Sequence, residues 1–366
     1  MKISLLTDGS LHGMHSPTYS QKYGDVIREA VLADELGFWS WGSSETRFMA
    51  PDTTISAPDS IYGAVAALTE RIKIRYAALG LPFHHPITVA ERLATLDAVS
   101  GGRAELATAR GNNGLAMDVW GIDPKDTRAM WAESLQIIAT ALMNETLSYE
   151  GAFWTLNEVR VNPTTTQKPM PRLYSVASGL PSHTASGELG IGVLTWDSYF
   201  GWDYLEECFA AYRDGLTRAD PVGGRLTDEY MVYVTAVRCA ERREDAVEAV
   251  KNPAFRFADL IIRLYEPFAS APTYEHFPRV RRVMKQRRNI EGLMEIGPSV
   301  VAGTPDDVIE VCKQIEAMGC EEVTFNIDGG THEAHMETIR LIGEYVIPEL
   351  GQVKQTTSSH AQAIRR

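Results

Sequence analysis

Arg110 stands directly after the apolar run Ala104–Ala109 and just before Gly111-Asn112-Asn113. A guanidinium at the end of a strand, in a loop of residues that tolerate unusual backbone angles, can grip a phosphate or carboxylate with its planar donors. The alternative is an ordinary surface salt bridge. A second anion element lies at Ser178-Gly179-Leu180-Pro181-Ser182, where small residues lead into a helix. Such a terminus offers backbone N–H groups and a favourable dipole; the plainer reading is that Ser182 caps the helix. His12 and His15 follow the first apolar segment. Imidazoles titrate near neutral pH, so both are candidates for proton transfer, or else polar loop residues. His332 and His335 share a helical stretch, but no third ligand is evident and no metal site is expected.

The elements that must position these residues alternate along most of the chain. Short apolar strands are expected at 3–6, 38–41, 72–78, 104–108, 173–177, 191–195, 230–237 and 322–326. Helices are expected at 19–36, 60–68, 87–99, 124–143, 182–189, 202–217, 304–318 and 332–347. Eight strands separated by amphipathic helices predict an α/β fold, a (β/α)8 TIM barrel, whose ligands gather at the carboxyl ends of the strands. The segment 147–156 reads as a hairpin. Residues 240–295 break the rhythm as a helical insertion after the seventh strand. Arg279–Arg288 within it reads as a solvated helix face, or alternatively as a lid. One domain is expected over 1–350, with a frayed polar tail at 351–366.

Composition narrows the partners. The 366-residue chain has a net charge of −13, which disfavours nucleic acid and anionic membranes. An anionic cofactor would then need local positive charge, which singles out Arg110. No apolar run reaches a membrane span and no secretory leader develops before Asp8, so a cytoplasmic location is expected. Cys208, Cys239, Cys312 and Cys320 lack CxxC spacing and read as buried thiols. Neither a GxGxxG fingerprint, a P-loop nor a GxSxG elbow is present.

Four segments in order carry a family resemblance: LADELGFWSW near the N-terminus, the stretch from Leu79 to Asn113 with LDAVSGGR and ELATARG, RLYSVASGLPSHTASGELGIGVLTW, and VAGTPDDVIEVCKQIEAMGCEEVTF. Together they resemble the bacterial luciferase-like, flavin-dependent monooxygenases over roughly residues 1–350. The resemblance implies that Arg110 contacts a flavin phosphate, with Ser178, Gly179 and Ser182 at the other phosphate element. It implies a non-prolyl cis peptide at Ala77–Ala78 beside the isoalloxazine ring, and Trp196 near the flavin. His85, in the His-His-Pro loop, reads as structural.

One departure matters. Where luciferases carry a Glu-His-His segment with the catalytic histidine, this chain has Glu45-Thr46-Arg47. Light emission is therefore not expected, and Glu45, His12 and His15 become the nearest candidates for proton handling. The function implied is a two-component monooxygenase. Reduced FMN from a separate flavin reductase would react with O2 at its C4a carbon to oxygenate a small organic substrate. A homodimer is implied as well. The alternatives are an F420-dependent hydride-transfer oxidoreductase and a non-catalytic flavin-binding protein. Trp39, Trp41, Phe48, Met49, Phe83, Trp196, Tyr199 and Phe200 are pocket candidates, or equally core.

Overall fold

The structure is a computed structural model and describes residues 1–351 except residue 112 and residues 266–276. Its strands and helices, in chain order, are β1 (Lys2–Leu6), α1 (Tyr19–Glu35), β2 (Ser40–Ser43), α2 (Asp59–Leu68), β3 (Lys73–Gly80), α3 (Pro86–Ser100), β4 (Ala104–Ala109), α4 (Gly114–Trp120), α5 (Thr127–Met143), β5 (Leu147–Glu150), β6 (Thr155–Val159), β7 (Leu173–Ala177), α6 (Leu180–Glu188), β8 (Gly192–Thr195), α7 (Trp202–Leu216), β9 (Tyr230–Val234), β10 (Ala236–Cys239), α8 (Arg243–Tyr265), α9 (Phe277–Gln286), α10 (Ile290–Ile296), β11 (Val300–Gly303), α11 (Pro305–Ala317), β12 (Glu322–Asn326) and α12 (His332–Leu341). Eight of the strands close a parallel barrel in the order β1-β2-β3-β4-β7-β8-β9-β12 and back to β1.

Strand alternation divides the barrel into two cores. Ile3, Leu5, Trp41, Ile74, Leu106, Val193, Val232 and Phe325 join the large cluster that also contains buried residues of the surrounding helices. Leu6, Ala77, Ala107, Tyr174, Leu194, Met231 and Tyr233 form a separate cluster inside the barrel. Local signals set several helix ends. Pro86 opens α3 behind His85, and Gly101 closes it in the left-handed conformation (φ 68°). Thr304 and Asp307 cap α11 reciprocally.

The eight strands and the insertion after the seventh are found as expected, with corrections at element ends. The second strand occupies Ser40–Ser43, because Phe38 N–H still closes α1 by bonding Ala33 O at 3.0 Å. The expected strand 230–237 is two strands. Thr235 N–H turns to Ser299 O at 2.9 Å, and the chain leaves the barrel to pair β10 with β11 in a small parallel sheet. The helix expected from Pro124 begins at Thr127 and is preceded by the unforeseen α4, capped by the Asn113 side chain and stopped by Gly121. The closing helix runs on past Leu341 through a π-helical turn at Ile342–Val346 and a last short helical turn at Ile347–Glu349. Helices α8, α9 and α10 with the β10–β11 sheet make the insertion; its residues 266–276 lie outside the described residues, while in α9 Arg279 pairs with Glu207 and Arg282 with Asp203. All but the first residue of the expected 351–366 tail lies outside them too. Among the described residues, no helix is long and apolar enough to cross a membrane.

Candidate active site at the barrel mouth

The eight parallel barrel strands point their carboxyl ends to one rim. At the end of β3 the Ala77–Ala78 peptide is cis, and the β3–β4 register slips between Ala77 and Leu79. Glu45 N–H donates to Ala78 O at 3.1 Å, tying the loop after β2 to this spot. Two small side chains leave the backbone there open to close approach.

Glu45 is buried beneath the rim. Its carboxylate lies 3.1 Å from His84 Nε2 and 2.7 Å from Arg92, and it also pairs with Arg47. Burial alone would push Glu45 up, but the His84 hydrogen bond and charge, joined by Arg92, hold it down at about 2. A carboxylate held that low exchanges no proton near neutrality. Held as an anion by these partners, Glu45 is placed to anchor the loop after β2. His15 is exposed on its loop. His12 lies at the rim with Nε2 3.2 Å from Asp52 Oδ1, and Asp52 also meets Arg256 of α8. His85 Nδ1 accepts the Ile87 N–H at 3.3 Å, and its ring meets Trp154 edge-on, a structural cap.

The two expected phosphate elements differ. Arg110, at the end of β4, is exposed and makes no hydrogen bond or ion pair with any described residue. Ser178 and Gly179 are engaged instead. Ser178 Oγ donates to Asp197 Oδ1 at 3.2 Å, and Gly179 N–H donates to Asp197 Oδ2 at 2.6 Å. Buried Asp197 also receives His183 at 3.3 Å and Cys208 at 3.7 Å, so an internal carboxylate already faces the start of α6. Ser182, half-buried in the first turn of α6, donates its N–H to Gly179 O. Arg110, Ser182 and the small Ala77–Ala78 edge fit a flavin with its phosphate; Ser178 and Gly179 fit only if they give up Asp197.

Trp196, at the end of β8, is stacked on Tyr233 of β9 (5.4 Å, 13° between planes) and meets Phe257 of α8 edge-on. The aromatic residues named as pocket candidates or core divide between the two. Trp41 and Phe200 are buried in separate clusters, while Phe48 is exposed against Trp120. A cavity of about 450 Å3 beside the rim is lined by the candidate Phe83 together with His84, His85, Trp120, Phe153 and Trp154, among others. His332 and His335 both place Nδ1 2.9 Å from Glu29 Oε1, clamping α12 to α1.

Four polar residues at the rim escaped the sequence reading: Asp8, Asp328, Asn326 and Tyr233. Asn326 Nδ2 donates to Tyr233 Oη at 2.6 Å and to Asp8 Oδ2 at 3.2 Å. The available signal was alternation, since Asp8 continues the face of Leu6 and Asp328 that of Asn326.

The luciferase-like monooxygenase family profile matches residues 1–322, and the chain belongs to this family. An uncharacterized protein, y4wF, of Sinorhizobium fredii is 30% identical over 44% of this chain and 47% of its own, so the match spans under half of that relative. The 4-hydroxyprotoasukamycin monooxygenase of Streptomyces nodosus subsp. asukaensis is 26% identical over 84% of this chain and 82% of its own. An F420-dependent glucose-6-phosphate dehydrogenase of Microbacterium testaceum is 24% identical over 90% and 95%. Among solved structures, the oxygenating constituent of 3,6-diketocamphane monooxygenase from Pseudomonas putida, in complex with FMN, superposes with a TM-score of 0.77 at 20% identity, covering 95% of this chain and 98% of that one.

Proposed function

We propose that this chain is the oxygenase component of a two-component monooxygenase that takes reduced FMN from a separate flavin reductase and oxygenates a small organic substrate with O2. The observation that carries this reading is Arg110: an exposed guanidinium without a described partner, at the end of β4, in a chain of net charge −13. Reduced FMN, when bound, supplies the two electrons that place one oxygen atom of O2 in the substrate and the other in water. In this scheme Arg110 and Ser182 hold the phosphate, and the Ala77–Ala78 edge lets the backbone approach the ring. Trp196, backed by Tyr233 and Phe257, packs nearby and excludes water. The 450 Å3 cavity beside the rim, whose lining is largely aromatic and apolar but includes His84, His85, Asp123 and Asp126, has room for a small organic substrate. The active form in this reading is a homodimer.

Anaerobic titration with reduced FMN, followed by rapid mixing with oxygen, tests the proposal. Saturable binding with reoxidation slower than that of free reduced FMN supports it. Failure to bind reduced FMN overturns it. The F420-dependent relative motivates a second reading, hydride transfer without oxygen. Binding of F420 but not reduced FMN would select that one.

A further inference from the structure

Two carboxylates meet at the rim of the barrel. β1 pairs with β12 in register from Lys2–Glu322 to Leu6–Asn326, and two more residues along each chain bring Asp8 beside Asp328. Their surroundings differ. Asp328 Oδ1 accepts the Thr7 hydroxyl at 3.0 Å and the Ser10 N–H at 3.3 Å, and it lies 3.5 Å from buried Lys22 Nζ. Its Oδ2 accepts the Asp8 N–H. Asp328 is therefore fully occupied in shaping the loop after β1. Among the described residues the Asp8 side chain accepts only from neutral groups: the Ser44 hydroxyl on Oδ1, the Ser44 backbone N–H, and Asn326 Nδ2 on Oδ2.

No Lys, Arg or His among the described residues pairs with Asp8, which is half-buried. The groups facing it are Asp328 from the end of β12, with Lys22 of α1 behind, Tyr233 through Asn326, and Ser44 with Thr46 from the loop after β2. Burial and the Asp328 charge push Asp8 up to about 6, against the Ser44 and Asn326 hydrogen bonds.

We propose that Asp8 is the proton-exchanging group of the barrel mouth, filling the role for which the Glu45-Thr46-Arg47 segment offers no histidine. The step it serves rests on the oxygenase reading. Reduced FMN monoanion, O2, substrate and one proton give oxidised FMN, oxygenated substrate and water. Without substrate, the same flavin, O2 and one proton give hydrogen peroxide. In either case the flavin loses two electrons and its N5 hydrogen, and one further proton must come from outside. The Asp8 O–H bond breaks, the proton goes to a reduced oxygen atom, and the resulting carboxylate is reprotonated from solvent. A carboxyl group poised between acid and base near working pH is suited to this.

The first test needs no flavin. With aspartate carboxyls labelled with carbon-13, NMR should show one carbon titrating with a midpoint near 6, absent in Asp8→Asn. Ser44→Ala, which removes a donor to the charged form, should move that midpoint upward. It also serves as the test if Asp8→Asn does not fold. No aspartate titrating between pH 5 and 7, or one that persists in Asp8→Asn, overturns the proposal. The second test follows reoxidation of protein-bound reduced FMN by O2 from pH 5 to 8. The wild type should show an inflection near pH 6. Asp8→Asn should lose it and be slowed by about 10²–10⁴, with reduced-FMN affinity retained. An unchanged profile overturns the proposal. If the wild type binds no reduced FMN, the oxygenase reading fails by itself, and the NMR result still decides Asp8.

Discussion

Arg75 Nη1 lies 2.6 Å from Glu322 Oε1, joining the third barrel strand to the eighth through the interior. The same guanidinium places Nη2 2.6 Å from Glu105 Oε2 and stands 4.9 Å over the Tyr174 ring. The three charged side chains are at most 2% exposed, so one buried cation serves two carboxylates beneath the candidate site, with Arg172 Nη1 a more distant 3.9 Å from Glu105 Oε1. Removing one partner of a buried pair leaves its counter-charge without solvent. Arg75→Met should therefore destabilise the fold by about 3–5 kcal/mol, read by urea unfolding. Adding Glu105→Gln should restore part of the loss. An Arg75→Met protein as stable as wild type would refute the account.

Glu45 makes stability depend on pH. Its folded value of about 2 lies below its ordinary 4.5, so the native state favours the charged form. That contribution is complete above pH 4.5 and is lost as the pH falls toward 2. From the size of the shift it amounts to about 3 kcal/mol. Glu45→Gln should be less stable than wild type at pH 7, and the difference should shrink steadily in unfolding curves taken between pH 5 and 3. A difference constant over that range would show that the charge of Glu45 is not what stabilises the loop.

Arg110 separates phosphate recognition from ring recognition. If it holds the phosphate, Arg110→Ala should weaken reduced FMN binding by about 10–100-fold, the worth of a charged hydrogen bond. Reduced riboflavin, which lacks the phosphate, should bind wild type and variant equally in anaerobic titrations. Equal weakening of both ligands would place Arg110 elsewhere. Exposed and without a described partner, Arg110 can be removed with little effect on stability, so the comparison reports on binding.

The barrel was legible because each strand is a short apolar run bounded by turn residues, a pattern set by burial on both faces. Arg110 was legible for the same reason, since a strand's end announces the rim. What failed depended on partners distant in sequence. Nothing near Ser178 and Gly179 says that Asp197 will take their donors. Nothing near Glu45 in sequence says that His84 and Arg92 will hold it as an anion. The strand at 230–237 splits because Ser299 offers its carbonyl to Thr235. Asp8 carries little local signal beside the more conspicuous His12 and His15, because its neighbour Asp328 arrives only when the last strand closes on the first.

The cysteines offer a test of how tightly that closure is held. Cys208, Cys239, Cys312 and Cys320 are all free and buried. Burial pushes the Cys239, Cys312 and Cys320 thiols up to about 12, while burial and nearby Asp197 push Cys208 higher still. The thiolate is the reactive form, so both access and ionisation protect these groups. Native protein at pH 8 should give almost no colour with Ellman's reagent over minutes, and four thiols per chain after unfolding in guanidinium. Cys312 lies on α11 in the cluster with Ile315 and Val323, so its labelling requires that helix to leave the barrel. Cys208 on α7 requires exposure of the Asp197 network. Following labelling site by site at low denaturant should therefore show which wall opens first. Immediate reaction of any one thiol in the native protein would show that its wall is not closed.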